Sequence, residues 1–185
     1  MEKHIKLPLA KELAQTLKAG DTVYLTGDIY TSRDAGHKRM CETLAKGEEL
    51  PFDPMDATIY YVGPTPAKPG QVIGSAGPTT SGRMDAYAPT LMSVGARGMI
   101  GKGARLPEVI EAMKEHSGVY FGAIGGAGAL LAKCIKQSEI VAYEDLGAEA
   151  LRRLYVEDMP LVVIIDSEGN SLYEEGKAAY LASKK

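Results

Sequence analysis

The apolar positions of this chain fall into short runs that switch repeatedly between strand-like and helix-like spacing. His4–Leu9 alternates as a short strand, with Pro8 favouring a sheet edge. Lys11–Lys18 carries Leu13, Ala14 and Leu17 at helical spacing and stops at Gly20. Asp21–Gly27 is rich in β-branched and aromatic residues and predicts a strand. Thr31 or Ser32 is placed to cap a helix from Arg33 to about Lys46. A proline-punctuated loop then leads to a strand over Ala57–Gly63, and Pro64–Gly70 forms a stiff connection too short to separate domains.

Val72–Ala76 predicts a strand, and Met84–Val94 a helix that Pro89 either starts or kinks. Met99–Gly101 is a short strand, and Leu106–His116 a helix with Pro107 in its first turn. Val119–Ile124 predicts a strand, Gly125–Cys134 a small-residue turn entering a short helix, and Ile135–Ala142 a further strand. Leu151–Tyr155 reads as a basic half-turn. Met159–Asp166 is the most apolar strand; Ser167–Asn170 suggests a hairpin turn returning through Ser171–Tyr173. The tail from Gly176 is a short helix or a frayed end. Interleaved strands and helices, with some hairpins, predict a mixed α/β domain on a parallel or mixed sheet. The whole of residues 1–185 is expected to form one domain.

Composition narrows the functional classes. A formal net charge of −3, with no basic cluster beyond Lys184-Lys185, offers no field for nucleic acid. Cys41 and Cys134 are too few for a disulfide framework and have no metal-ligand spacing; both suit a core as small apolar groups. Met1-Glu2-Lys3-His4 leads into no apolar leader segment, and no apolar run approaches the ~20 residues of a membrane span. A soluble cytoplasmic protein is the expectation. The 21 glycines, against no tryptophan and two phenylalanines, point to many sharp turns or close backbone approaches.

The densest chemistry lies in Gly77-Pro78-Thr79-Thr80-Ser81-Gly82-Arg83-Met84-Asp85. It has no apolar period; its glycines and proline suggest a tight turn whose N–H groups and hydroxyls converge. Arg83 is placed to close over an anion held there. Arg33 sits at a predicted helix start, beside unpaired N–H groups. Lys102, between Gly101 and Gly103 at a strand end, has few packing neighbours to explain it. His37 follows Arg33 by four residues on the same helical face and is a supporting candidate, as are Thr80 and Ser81. Gly126-Ala127-Gly128 fails as a dinucleotide loop, because Leu131 stands where a small residue is required. Arg33, Arg83, Lys102 and the hydroxyls of Thr79, Thr80 and Ser81 suit a small polyanion such as a dicarboxylate. They include no strong base.

These segments resemble a known family. GPTTSGRMD at Gly77–Asp85, RDAGHKR at Arg33–Arg39, GKGARL at Gly101–Leu106 and GGAGALLA at Gly125–Ala132 are similar to the beta subunit of the iron–sulfur-dependent class I fumarases and L-tartrate dehydratases. In single-chain members the same region is the C-terminal domain. The resemblance covers essentially the whole chain, and the Thr/Ser turn is its most specific part. It implies a swivelling β/β/α-type fold and reversible hydration of fumarate to (S)-malate, or dehydration of a related hydroxy-diacid. It makes Arg33, Arg83 and Lys102 ligands of the substrate carboxylates, and Thr79 the group that takes the C3 proton. It also implies a 4Fe–4S cluster on a partner alpha subunit, bound by three cysteines there and by none of this chain's residues. The expected assembly is a heteromer built as a dimer of αβ pairs; alone, the same face could pair copies into a homo-oligomer. A tartrate dehydratase beta subunit and a non-catalytic dicarboxylate-binding domain are the alternatives.

Overall fold

The computed structural model describes residues 1–123 and 128–184. Its strands are β1 (Glu2–Lys6), β2 (Thr22–Thr31), β3 (Thr58–Tyr60), β4 (Gly98–Gly101), β5 (Val119–Ala123), β6 (Ile135–Ala142) and β7 (Leu151–Ile165). Between them lie the helices α1 (Lys11–Ala14), α2 (Asp34–Ala45), α3 (Ala88–Ser93), α4 (Pro107–His116), α5 (Gly128–Lys133) and α6 (Leu172–Ser183). The mixed α/β class read from the sequence is the class observed.

The sheet runs β1-β2-β3-β4-β5-β7-β6, and β2 also pairs with β7. Neighbours from β1 to β5 are parallel, while β7 is antiparallel to β2, β5 and β6. The ladder therefore closes on itself through β2, β3, β4, β5 and β7. Strand alternation then sorts the side chains. Leu25, Ile29, Tyr60, Ile100, Phe121, Leu161 and Val163 point one way into a buried cluster. Their neighbours Ile59, Tyr61, Met99, Tyr120 and Ile164 point the other way, against Met40 of α2, Leu91 and Met92 of α3, and Val109 and Met113 of α4. No helix among the described residues is long and apolar enough to cross a membrane.

Several predicted elements differ. Leu151–Tyr155 is the start of the 15-residue strand β7. Its alternation is masked by Arg152 and Arg153, yet Leu151, Leu154 and Val156 are buried, and Arg153 pairs with Glu139 on β6. Ser171–Tyr173 is no returning strand. The Asp166 carboxylate accepts the N–H groups of Glu168 and Asn170, leaving only a single bridge from Ile165 to Ser171 before α6 begins. Val72–Ala76 is also irregular, because Ser75 spends its backbone hydrogen bonds on the Thr65 backbone and hydroxyl. The predicted Met84–Val94 helix is a 3-10 turn at Ser81–Met84 followed by α3, with Pro89 in the first turn of that helix. Neither Thr31 nor Ser32 caps α2; Arg33 occupies the cap position. The glycine turn predicted at 125–127 lies outside the described residues.

Candidate active site

The Thr/Ser turn is held at the C-terminal ends of β3 and β4, the end of a parallel sheet where ligand sites form. Thr79 N–H donates to the Tyr61 carbonyl at 2.7 Å, and Lys102 N–H donates to the Thr79 carbonyl at 3.3 Å. Ser81 N–H donates to the Lys102 carbonyl at 2.8 Å. The backbone thus places Thr79, Thr80 and Ser81 alongside Lys102. Close approach explains one glycine: a Cβ on Gly101 would overlap Ser81 Oγ and lie 2.8 Å from Tyr61 Cδ2.

Thr80 and Lys102 are exposed, Thr79 is half-buried, and Ser81 is fully buried. Ser81 therefore presents no hydroxyl to solvent. Its Oγ lies 2.8 Å from the Tyr120 hydroxyl, which donates to the Gly103 carbonyl at 2.8 Å. Lys102 lines a cavity of about 260 Å³ together with Gly77, Pro78, Gly101, Gly128 and Tyr173. A larger hollow of about 620 Å³, edged by Lys68, Lys133 and Lys136, holds none of the candidate residues.

Both arginines lie at the start of α2, Arg33 in its cap position and Arg83 beside its first residue. Arg83 Nη1 lies 3.6 Å from Asp34 Oδ2, and Arg83 is more than half exposed. Arg33 Nε lies 3.7 Å from Glu149 Oε1, and its guanidinium packs against Gly63, where a Cβ would sit 2.8 Å from Nη1. Both separations exceed hydrogen-bonding range. Arg33 Nε, Glu149 Oε1 and Asp34 Oδ1 are buried with no hydrogen-bond partner among the described residues. Neither arginine lines the Lys102 cavity among the described residues. The candidates thus form two adjoining groups: Thr79, Thr80 and Lys102 at the strand ends, and Arg33 with Arg83 at the helix start.

His37 is fully buried beneath that helix start. Its Nδ1 lies 2.9 Å from both the Arg33 carbonyl and Ser32 Oγ. A carbonyl can only accept, so Nδ1 carries the proton and Nε2 is bare. Burial pushes its pKa down from 6.5 to about 4, aided by the Arg105 charge and opposed by the Arg33 hydrogen bond and Asp34. His37 is a neutral support behind Arg33, removed from the surface where a ligand would arrive.

The residues that sequence reasoning missed are the buried ones. Arg105 Nε donates to Asp85 Oδ1 at 2.6 Å, and Leu106 N–H donates to Asp85 Oδ2 at 2.8 Å. The Arg105 guanidinium lies over the rings of Tyr61 and Tyr120, at 5.3 and 4.8 Å from their centroids. Burial works against its charge, but Tyr61 and Asp85 more than compensate and raise its pKa. Both partners lie inside recognised segments, GRMD and GKGARL, yet nothing in their spacing announces the pairing.

The chain's own thiols do not suit a metal cluster. Cys41 sits on α2 and Cys134 beyond α5; burial pushes both thiols up, towards the protonated form. Among the described residues no group of three His, Cys, Asp or Glu side chains is placed to hold a metal ion.

These observations define an α/β domain that presents a cationic, hydroxyl-bearing rim at the ends of its parallel strands. The chain belongs to the fumarase C-terminus family, whose model matches residues 1–176. It is 41% identical over 172 residues to the anaerobic class I fumarate hydratase of Escherichia coli (strain K12), covering 91% of this chain and 31% of that enzyme. It is 39% identical over 175 residues to fumarate hydratase 2 of Leishmania major, with 92% and 31% covered. The chain therefore spans about a third of the length of these fumarate hydratases. Against the "putative L(+)-tartrate dehydratase subunit beta" of Methanocaldococcus jannaschii the identity is 40% over 173 residues, covering 90% of this chain and 89% of that one.

Proposed function

We propose that this chain acts as the beta subunit of a hydro-lyase that reversibly hydrates fumarate to (S)-malate. It supplies the dicarboxylate-binding cations and a proton acceptor to a site shared with an alpha subunit, which carries the 4Fe–4S cluster. The observation that carries this reading is the backbone pairing of Thr79–Ser81 with Lys102, with Arg83 leaving the same turn towards Asp34, the chain neighbour of Arg33. Lys102, Arg33 and Arg83 bind the two carboxylates. Their loose carboxylate partners, at 3.6 and 3.7 Å, leave the arginine donors available. In the dehydration direction Thr79, ionised to its alkoxide beside the Lys102 charge, takes the proton from C3 of malate, and in hydration it returns that proton to C3. Proton removal next to a carboxylate concentrates negative charge there. A donor aimed at such charge contributes roughly 3 kcal/mol, or ~10² in rate.

A second reading is tartrate dehydration, favoured by one observation: a relative matched over 89% of its own length bears that name, whereas the fumarate hydratases named above are matched over about a third of theirs. The same cations would hold either diacid. The test is fumarate hydration followed by absorbance, first with this chain alone and then with the alpha subunit added anaerobically. Activity only in the mixture supports the proposal. Turnover of tartrate and not of fumarate moves the reading to the second. No turnover of any diacid by a cluster-loaded mixture overturns both and leaves a dicarboxylate-binding domain.

A further inference from the structure

Two buried ties join the segment bearing Arg83 to the segment bearing Lys102. In the first, Asp85 is two residues past Arg83, Arg105 is three past Lys102, and their side chains meet at 2.6 Å with 2% and 0% of their surface exposed. In the second, the Tyr120 hydroxyl bridges Ser81 Oγ, two residues before Arg83, and the Gly103 carbonyl, next to Lys102. Arg105 is further clamped by the Tyr61 hydroxyl at 3.3 Å and by the two tyrosine rings. A turn needs no such apparatus merely to stay folded. A buried ion pair is often no more stabilising than apolar residues of the same volume, and its best attested use is to fix one arrangement against others.

We infer that Asp85–Arg105 and Ser81–Tyr120–Gly103 form a positioning frame that sets the separation of Arg83 and Lys102, and so the length of diacid the site accepts. None of the frame residues touches substrate; each acts through the cations it spaces. The inference rests on the hydro-lyase reading above and deepens it. The frame is rigid for a physical reason. Asp85 accepts from both Arg105 and the Leu106 N–H, so neither segment slides without leaving a buried carboxylate oxygen unpaired.

The test compares wild type with Arg105→Lys and Tyr120→Phe, each assembled with the cluster-bearing alpha subunit. Lysine keeps the buried charge but loses the fork and the ring stacking. Phenylalanine removes one hydroxyl and keeps the ring, so it breaks the second tie even if the lysine variant fails to fold. Inhibition constants are measured for malonate, succinate and glutarate, alongside kcat and KM for fumarate. Wild type should favour the four-carbon diacid. In both variants that preference should flatten, and kcat should fall by up to about 10²-fold, as misplacement of about 1 Å produces. A purely structural role would lower thermal stability and leave the order of the three inhibitors unchanged; that result in either folded variant overturns the frame. Wild type that neither turns over nor binds any diacid would instead overturn the hydro-lyase reading, and the frame's role with it.

Discussion

At the scale of single residues, the proposed roles of Thr79 and Arg83 separate chemistry from binding. Thr79→Val should abolish turnover while substrate affinity stays nearly intact, because valine preserves the backbone bonds to Tyr61 and Lys102. Arg83→Ala should raise KM by about tenfold, some 1–2 kcal/mol, less than a fully desolvated pair because Arg83 is 55% exposed in this chain. Steady-state kinetics of the assembled enzyme checks both; a wild-type kcat from Thr79→Val, or a wild-type KM from Arg83→Ala, removes that residue from the site. His37 gives a different signature. Its folded pKa lies below its unfolded value, so the unfolded chain binds the proton first and stability falls as pH drops from about 6.5 to about 4. The full loss is about 3 kcal/mol, read from denaturant midpoints across that window. His37→Gln should remove this pH dependence while costing stability at neutral pH.

The three cations are candidates from the sequence because each stands beside a glycine or at a helix start, and the structure leaves Arg83 and Lys102 exposed and Arg33 half-buried. Ser81, for its hydroxyl in the turn, and His37, for its spacing of four from Arg33, were supporting candidates, and the structure buries both. Ser81 occupies the space that Gly101 leaves open, a relation between residues twenty apart that no local pattern encodes. Asp85 and Arg105 were invisible for the same reason.

At the scale of elements, β7 is the clearest lesson. Its apolar second half was readable, but its first half carries Arg152 and Arg153 and so looked like a turn. In a strand paired on both sides, the exposed Arg153 reaches out to Glu139 on β6 while Leu151, Leu154 and Val156 fill the interior. Ser171–Tyr173 failed for a related reason: an aspartate that captures nearby N–H groups redirects the chain out of a hairpin. The contact between β4 and the Thr/Ser turn is testable through its glycine. Gly101→Ala should cost about 1–3 kcal/mol through overpacking against Ser81 and Tyr61. Gly82→Ala, which meets nothing within 4 Å, should change stability far less. Adding Ser81→Gly to Gly101→Ala should recover part of the loss. Urea midpoints for the set decide it, and equal values for the two alanine variants would contradict the close approach.

At the scale of the whole molecule, the closed ladder concentrates stability in the sheet and leaves the end of the chain outside it. No residue of α6 is buried, and the family match ends at 176, within that helix. Removing residues 177–185 should therefore shift the unfolding free energy by no more than about 0.5 kcal/mol. A larger loss would show that the helix braces the sheet. The mixed α/β class was readable from interleaved periodicities, whereas ring closure was not. It depends on β2 meeting β7 across more than a hundred residues, and alternation within a strand says nothing about which partner that strand will find.

That closure orders events during synthesis. β2 and β3 leave the ribosome early, but β2 lacks one whole flank until β7, up to Val162, has emerged. Every strand end that carries the Thr79–Lys102 rim lies in the interval between. The support beneath that rim is thus completed last: β3, β4 and β5 can pair in the order they appear, but the ladder holding them closes only with β7, across the greatest sequence separation in the sheet.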